Sequence, residues 1–244
     1  MYAPSRTDRI LSLWRSLWIQ ASWSFKGMQT VGFVHALEPL IKGDEEVRRR
    51  KLLSHLDFFN AHPFLAPMAL GAVAAAEAEG AEPSIEAGEA RRLMMGPLGG
   101  LGDSLFWGGL KPLVVLLALL LCAEGFFWAP WAMVGIFIVV NIGARWYALD
   151  MGLSRGKLAL LDIQKYRPVL AAAKFKLAAA AVAGWIVVRL AWTQETPIPL
   201  SPLASAVSAV VAALAVAWAV RRETDPLLII YAAAVTALFI GMAK

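Results

Sequence analysis

The stretch HLDFFNAHPF, residues 55–64, concentrates polar chemistry in front of an apolar segment. Its ten positions hold two histidines, an aspartate and an asparagine, and the apolar run LAPMALGAVAAA follows at residues 65–76. Polar groups left unpaired in hydrocarbon are costly, so these side chains need hydrogen-bonding partners at that edge. A bound substrate is one such partner, and the backbone of the protein itself is another.

The two histidines of this stretch do not have the spacing of a metal site. His55 and His62 lie about 10 Å apart along a helix, whereas zinc needs both imidazole nitrogens within about 2.1 Å. The chain has neither an HExxH motif nor a Cys/His cluster, so we predict no metal site. A helix ending before Pro63 would place both histidines on one face with Phe58 and Phe59, where they would pack and bond to backbone.

A second polar cluster follows the glycine-rich segment GPLGGLG, residues 96–102. Asp103 suits the N-cap of a following helix, or it offers a carboxylate beside the indole of Trp107 on the same helical face. Sugars fit such a pair, because hydroxyls bond the carboxylate while C–H faces stack on the ring. The glycines match neither GxxxxGK[ST] nor GxGxxG, so a nucleotide site has no support. Gly96 and Gly100 instead form a GxxxG pair, typical of close helix packing.

Composition places both clusters in a membrane protein. Of the 244 residues, 59% are hydrophobic and only 17% are charged, which is too few charges for a typical soluble domain. The single cysteine, Cys122, excludes a disulfide within one chain. The net charge of +5 is not accompanied by a basic, aromatic-interleaved soluble domain, so we predict no nucleic-acid partner and attribute the excess to topology.

The apolar runs predict five transmembrane spans. Residues 112–144 contain one charged residue, Glu124, and would form roughly 50 Å of helix, too long for one crossing of a hydrocarbon core of about 30 Å. The sequence EGFFWAPW at 124–131 supplies a turn, which divides this run into two spans. The three further spans are predicted at residues 168–188, 196–220 and 226–243.

Two other apolar segments are too short and too interrupted to cross a bilayer. Residues 61–76 and 93–112 both contain prolines and glycines within their apolar runs. Such segments occur at membrane depth only where protein covers them or where they line a cavity, and in transporters they mark the binding site. We therefore predict an all-α polytopic membrane protein that combines transmembrane helices with broken, re-entrant helical hairpins.

The N-terminal residues 1–22 are predicted to form an amphipathic helix. Apolar residues recur at helical spacing in RILSLWRSLWIQ, residues 9–20, with arginines between them. A helix lying in the membrane interface has this stripe, and so does a helix docked on the protein's own core. The arginines are not followed by a continuous apolar run, so no cleavable signal peptide is expected.

The distribution of basic residues predicts the orientation. Residues 145–176 contain seven Lys and Arg against two Asp, which favours a cytoplasmic connector, as does the Arg221/Arg222 turn. With five spans, both assignments place the N-terminus in the cytoplasm and Lys244 in the periplasm.

These motifs together resemble the IID subunit of the mannose/fructose/sorbose class of bacterial phosphotransferase-system sugar permeases. The resemblance covers most of residues 23–156, and HLDFFNAHP with GPLGGLGDSLFWG is a highly specific combination. We accordingly divide the chain into residues 1–22, 23–156 and 157–244. The matching stretches are GMQTVGFVHALEPLIK (27–42), RKLLSHLDFFNAHPFLAPMALGAVAAAEAE (50–79), GPLGGLGDSLFWGGLKP (96–112) and RWYALDMGLSRG (145–156).

The resemblance implies partners and a division of labour. A IID subunit joins a IIC subunit in the membrane, usually as a trimer of IIC–IID pairs, and the sugar lies in polar pockets near re-entrant hairpins. The phosphoryl group comes from a phosphohistidine on the cytoplasmic IIB subunit, charged in turn by IIA. The chain would then be no enzyme by itself and would need no cofactor, and His35, His55 and His62 would not be phosphorylated.

The resemblance also implies a sugar path in the bacterial cytoplasmic membrane. Two other functions stay open: a regulatory or scaffold subunit that keeps the fold without transporting, and a secondary transporter that acts alone. The candidate substrate-binding residues are Asp103, Ser104, Trp107, Asn60, His62 and Gln29.

Overall fold

The computed structural model describes residues 3–78 and 80–192, with side chains described as far as residue 186. Described residues form helices and no strand, which confirms the predicted all-α class. The chain divides into two compact units, Met1–Ala178 and Ala179–Lys244. The spans predicted at 196–220 and 226–243 lie outside the described residues.

Nine α-helices follow one another in the described part of the chain. Short 3₁₀ turns lie at Glu38–Leu40 and Gly156–Leu158, and a π-helical stretch, Asp103–Leu110, joins α5 to α6. The helices are α1 (Arg6–Ser16), α2 (Thr30–Leu37), α3 (Glu45–Leu53), α4 (Ala66–Ala76), α5 (Ile85–Gly102), α6 (Lys111–Ala123), α7 (Ala129–Arg155), α8 (Ala159–Lys165) and α9 (Pro168–Trp192).

Three helical stretches among the described residues are long and apolar enough to cross a membrane. They are Ile85–Ala123, Ala129–Lys165 and Pro168–Ile186. The predicted turn between the first two is present, since α6 ends at Ala123 and Gly125 turns with a φ of 89°. Left-handed backbone of this kind is accessible to glycine without strain.

The hairpin predicted at residues 93–112 is not formed. The backbone stays helical from Ile85 to Ala123, through Pro97, and the π-helical stretch replaces a chain reversal. The glycines and prolines indicated an irregular backbone in this segment, and the irregularity is a wider, π-helical stretch within a continuous helix. In a π-helix each hydrogen bond spans one residue more than in an α-helix, and single π turns occur frequently at functional sites.

Helix α4 is the centre of the core. Every residue from Ala66 to Ala74 is buried, and the helix packs against α5 and α7. Two glycines permit this close approach: a Cβ on Gly152 would lie 2.1 Å from the carbonyl oxygen of Met68, and one on Gly71 would lie 2.5 Å from that of Leu149. Small residues at such crossings let two helix backbones touch.

Helix α1 docks on the protein through its serines. It begins with a capping box between Ser5 and Asp8, and it buries Ser12 and Ser16. Its apolar stripe, which includes Trp14, is exposed and is not packed on the protein's own core. The other side of the segment does pack on the core, through Leu13 and the buried Ile19, so the exposed stripe is left to face the surroundings of the protein.

The basic connector predicted at 145–176 is mostly helical. Helix α7 continues to Arg155, and Arg145 is buried with 4% of its surface exposed. Its Nη1 donates to the backbone oxygen of Ser16 at 2.6 Å and to its Oγ at 3.0 Å. Arg145 therefore joins α7 to α1 and is not a free loop cation.

Candidate functional site

The helix predicted before Pro63 is wrong. Helix α3 ends at Leu53, and residues 54–65 form turns and extended backbone. Side chains from other elements supply the hydrogen bonds that a helix would have supplied: Thr30 Oγ1 accepts from the N–H of Phe59 at 3.0 Å, and Arg91 donates to the carbonyl of Asp57 at 2.7 Å. These long-range partners decide the conformation, because every buried backbone group must be paired.

The two histidines accordingly separate. His55, which is 1% exposed, contacts the Glu77 carboxylate through Nε2 at 2.9 Å, and Lys51 donates to the backbone carbonyls of Glu77 and Gly80. This buried cluster fixes the C-terminal end of α4 against α3. His55 therefore has a structural partner, a carboxylate and not the backbone group that we expected. Within residues 3–78 and 80–192, no three His, Cys, Asp or Glu side chains form a group suited to a metal ion.

Gln29 fixes the loop of residues 54–65 at Ala61. Its buried amide donates to the carbonyl of Ala61 at 2.8 Å and accepts from the N–H of Ala61 at 3.2 Å. The two candidates Asn60 and His62 flank the peptide that it holds. Gln29 therefore positions these residues, and both the nitrogen and the oxygen of its amide bond the backbone of Ala61.

Replacing Gln29 with leucine is expected to destabilise the protein by roughly 1–3 kcal/mol, because it leaves the buried N–H and C=O of Ala61 unpaired. The thermal unfolding midpoint of the purified chain measures this loss. Gln20→Leu is the matched control, since Gln20 is exposed and its side chain has no hydrogen bond in the described structure. Equal midpoints for the two variants would contradict the anchoring role.

His62 lies in a cage of aromatic rings. It stacks on Phe106 at a centroid distance of 5.1 Å, and it meets Trp107 edge-on at 4.8 Å and Phe64 at 5.0 Å. The backbone of Gly102 also packs directly against His62, since a Cβ at this position would lie 2.2 Å from the Cβ of His62. The imidazole is 1% exposed.

The protonation of His62 follows from these surroundings. Burial, with a smaller contribution from the charge of Arg145, lowers the pKa of His62 to about 4, so the ring is neutral near pH 7. Its Nδ1 accepts a hydrogen bond from the N–H of Phe64 at 3.2 Å, which places the proton on Nε2. Nε2 has no partner among the described residues. The cage therefore holds an unpaired N–H donor.

The π-helical stretch carries three of the predicted residues. Asp103 does not cap a helix, because the backbone on both sides of it is helical. Its carboxylate is exposed and has no described partner. Ser104 Oγ accepts a hydrogen bond from Lys176 Nζ at 3.1 Å, and Trp107 is 46% exposed.

The structure brings some of the predicted residues together and leaves others apart. His62 and Trp107 are in direct contact, and Asp103 and Ser104 belong to the same π-helical stretch as Trp107. Asn60 is exposed, and no described hydrogen bond or ring contact joins its side chain to the others. The site is thus built around the pair of His62 and Trp107.

Two basic residues that contact the candidate site were not among the predicted residues. We interpreted Lys176 as a snorkelling side chain at the start of a span, but it bonds Ser104. Arg145 donates to Asn141 at 2.6 Å and lies 5.7 Å from the ring centroid of Phe64. A basic side chain at the end of an apolar span was the available signal for both, since such residues commonly have a specific partner.

A groove adjoins the aromatic cage. Its volume is about 330 Å³, near the lower end of the range for ligand pockets. It lies between α6 and α7 and is largely apolar, with Lys111 and Asn141 as its polar groups and Phe64 shared with the cage. The lining therefore offers two polar contacts beside a mainly apolar surface.

Comparison with known proteins gives consistent results. A family model described as the mannose/fructose/sorbose family IID component of the phosphotransferase system matches residues 5–244. The chain is 35% identical over 161 residues to the mannose-specific EIID component of Escherichia coli K12, an alignment that covers 62% of this chain and 55% of that protein. The chain thus spans little more than half the length of that relative.

Other relatives match over more of their length. The chain is 28% identical over 241 residues to the fructose permease IID component of Bacillus subtilis, covering 88% of each. It is 32% identical over 165 residues to the sorbose-specific EIID component of Klebsiella pneumoniae, covering 64% of this chain and 60% of that protein.

Two solved structures are similar along nearly the whole chain. One is a cryo-EM structure of the mannose transporter ManYZ with microcin E492, at a TM-score of 0.59 and 26% identity over 100% of this chain and 97% of that one. The other is described as a membrane protein, at a TM-score of 0.71 and 26% identity over 99% and 97%.

Proposed function

Because this chain belongs to the mannose/fructose/sorbose family of phosphotransferase-system IID components, we propose that it forms, with a IIC subunit, the translocation path of a hexose transporter. In this proposal a phosphohistidine on IIB, charged by IIA, phosphorylates the sugar on entry, and the chain itself contributes no catalytic group. The assembly is a trimer of IIC–IID pairs in a bacterial cytoplasmic membrane, with the N-terminus of this chain in the cytoplasm and its C-terminus in the periplasm.

The unpaired Nε2–H of His62 is the observation that carries the proposal. A buried donor without a partner is rare in proteins, and a sugar hydroxyl oxygen is a suitable acceptor. The indole of Trp107 covers this imidazole on one side and is itself half exposed, so a sugar that stacks on it lies beside the donor. Movement of Trp107 would open the cage to the sugar.

The π-helical stretch supplies the complementary groups. The carboxylate of Asp103 is unpaired and accepts hydrogen bonds from hydroxyls. The Ser104 hydroxyl and the Lys176 ammonium, which are hydrogen-bonded to each other, offer donors. Asn60 adds an exposed amide on the loop that Gln29 holds. We assign these residues to the sugar path, with Gln29 acting through the loop.

Replacing Asp103 with asparagine is expected to lower sugar transport by about 10- to 100-fold, since a hydrogen bond to a charged group contributes about 1.5–3 kcal/mol. The measurement is PEP-dependent accumulation of radiolabelled sugar phosphate in cells that express this chain with IIC, IIB and IIA. Glu89→Gln is the matched control, because Glu89 is an exposed carboxylate on α5 and has no described partner.

The transport assay and a purification of the chain without IIC separate the rival functions. If the wild-type complex assembles but moves none of mannose, glucose, fructose, sorbose or amino sugars, a scaffold or regulatory role is favoured. A chain that is monodisperse and binds sugar when purified without IIC would favour a transporter that acts alone.

A further inference from the structure

We propose that α1 lies in the headgroup region of the bilayer and forms one of two aromatic belts on this chain, about one hydrocarbon thickness apart. The proposed lipid-facing surface is the Trp face, which consists of Ile10, Leu11 and Trp14 of α1 and Trp18 of the turn that follows. This inference is independent of sugar transport, because it concerns how the chain sits in lipid.

The Trp face is open. Trp14 and Trp18 are 59% and 58% exposed and contact each other edge-on at 6.5 Å, and Ile10 is 48% exposed. A second exposed aromatic pair, Trp23 and Phe25, follows in the same N-terminal segment at 4.9 Å. Tryptophan at this density on an exposed surface is typical of the membrane–water interface, where the ring is apolar and its N–H remains hydrated.

The opposite face of α1 is fixed to the spanning helix α7. Arg145 bonds Ser16, and Arg9 forms an ion pair with Asp150 at 2.9 Å. These contacts make α1 a rigid attachment to α7, so the level of α1 is set by where residues 145–150 lie along that helix. The Trp face therefore cannot turn inward to the core without breaking both contacts.

The hairpin between α6 and α7 carries the second aromatic belt, and the length of α7 gives the distance between the two belts. Its tip exposes a second set of aromatic residues, and Trp131 is 78% exposed at the start of α7. At 1.5 Å per residue, Arg145 and Asp150 lie about 24 and 32 Å along α7 from Ala129. That interval brackets a hydrocarbon core of about 30 Å. The tip residues are Phe126, Phe127, Trp128 and Trp131.

The exposed surface of α7 between the two belts is largely apolar, and unpaired cations lie beside α1. Ile138 and Val139 of α7 are 57% and 71% exposed, as expected of side chains in contact with acyl chains. Arg6 and Lys26 flank the Trp face and have no described partner. Unpaired cations beside interfacial aromatics are complementary to an anionic leaflet, which identifies lipid headgroups as the occupant of this surface.

Spin-label accessibility tests the placement. The full chain, co-expressed with a IIC subunit and carrying Cys122→Ser, is placed in phosphatidylglycerol-containing nanodiscs with a single label at Trp14→Cys or Trp18→Cys. Collision rates with oxygen, which partitions into lipid, and with a water-soluble nickel chelate give the depth of each label. Glu46→Cys on α3 is the aqueous reference and Ile138→Cys the reference for the bilayer interior.

Each outcome decides the proposal. We expect labels at positions 14 and 18 to be more accessible to oxygen than the label at 46 and more accessible to nickel than the label at 138. An accessibility equal to that at 46 would place α1 in water and overturn the proposal. Exclusion of both reagents would show that a protein partner covers the Trp face. Should a tryptophan replacement prevent assembly, Leu11→Cys gives the same measurement on the same face.

Discussion

Gly152→Ala is expected to prevent α4 from packing on α7 and to destabilise the protein by at least about 3 kcal/mol, at the upper end of the range for overpacked cores. The new Cβ would lie 2.1 Å from the carbonyl oxygen of Met68 and 3.0 Å from the backbone nitrogen of Ala72. Both atoms are backbone, so no side-chain rotation relieves the contact, and the two helices must move apart.

The matched control lies on the same helix. Gly143 and Gly135 also belong to α7, and a Cβ at either position meets nothing within 4 Å. Gly143→Ala should therefore retain the wild-type yield of monodisperse protein and its thermal midpoint, or gain slightly from the better helix propensity of alanine. If Gly152→Ala behaved like Gly143→Ala, the close crossing of α4 and α7 would be disproved.

Gly102→Ala is expected to reduce sugar transport by about 100-fold while leaving the helix intact, since a displacement of roughly 1 Å near a binding site is enough for such a loss. A Cβ at this position would lie 2.2 Å from the Cβ of His62 and 2.8 Å from its Nδ1. Because the backbone fixes the Cβ of His62, the loop at residue 62 must shift together with the imidazole, and the stacked ring of Phe106 and the edge of Trp107 leave the ring no free side.

Gly100→Ala on the same helix is the control, because a Cβ at Gly100 meets nothing within 4 Å. The Gly100→Ala variant should assemble and transport like the wild type, and transport by Gly102→Ala is expressed per assembled complex, so that a loss of assembly is measured separately from a loss of transport. Wild-type transport by Gly102→Ala would show that the position of His62 does not matter to the sugar path.

Properties set by local sequence were predictable. The turn after α6 was predicted from Gly125 and the following proline, and the apolar runs gave the spans on either side of it. Both depend on short-range physics: glycine permits left-handed backbone, and hydrocarbon requires paired backbone groups over a fixed length.

Properties set by distant side chains were not predictable. The loop at residues 54–65 looked helical from its spacing of aromatic and polar residues, but Gln29, Thr30 and Arg91 pair its backbone groups from other elements. Nothing in the sequence of the loop itself indicates that such partners exist. Tertiary contacts of this kind routinely override local propensity.

In the candidate site, too, some features were predictable from local sequence and others depended on distant side chains. Its motif residues His62 and Trp107 do meet, although they are 45 positions apart in the chain. Lys176 and Arg145 were missed as members of the site because their partners, Ser104 and Asn141, are neutral and give no charge pattern to match. An N-cap was one of the two interpretations of Asp103, because the glycines before it suggested a helix boundary, whereas the backbone there widens and continues.

The burial of α4 has a consequence for biosynthesis. Its nine consecutive buried residues are covered in part by α7, whose contact residue Gly152 is made 76 positions after the end of α4. At ribosomal rates this separation corresponds to roughly 4–15 s. During that interval the apolar surface of α4 that α7 later covers has no partner from α7, so it stays exposed to its surroundings until α7 emerges.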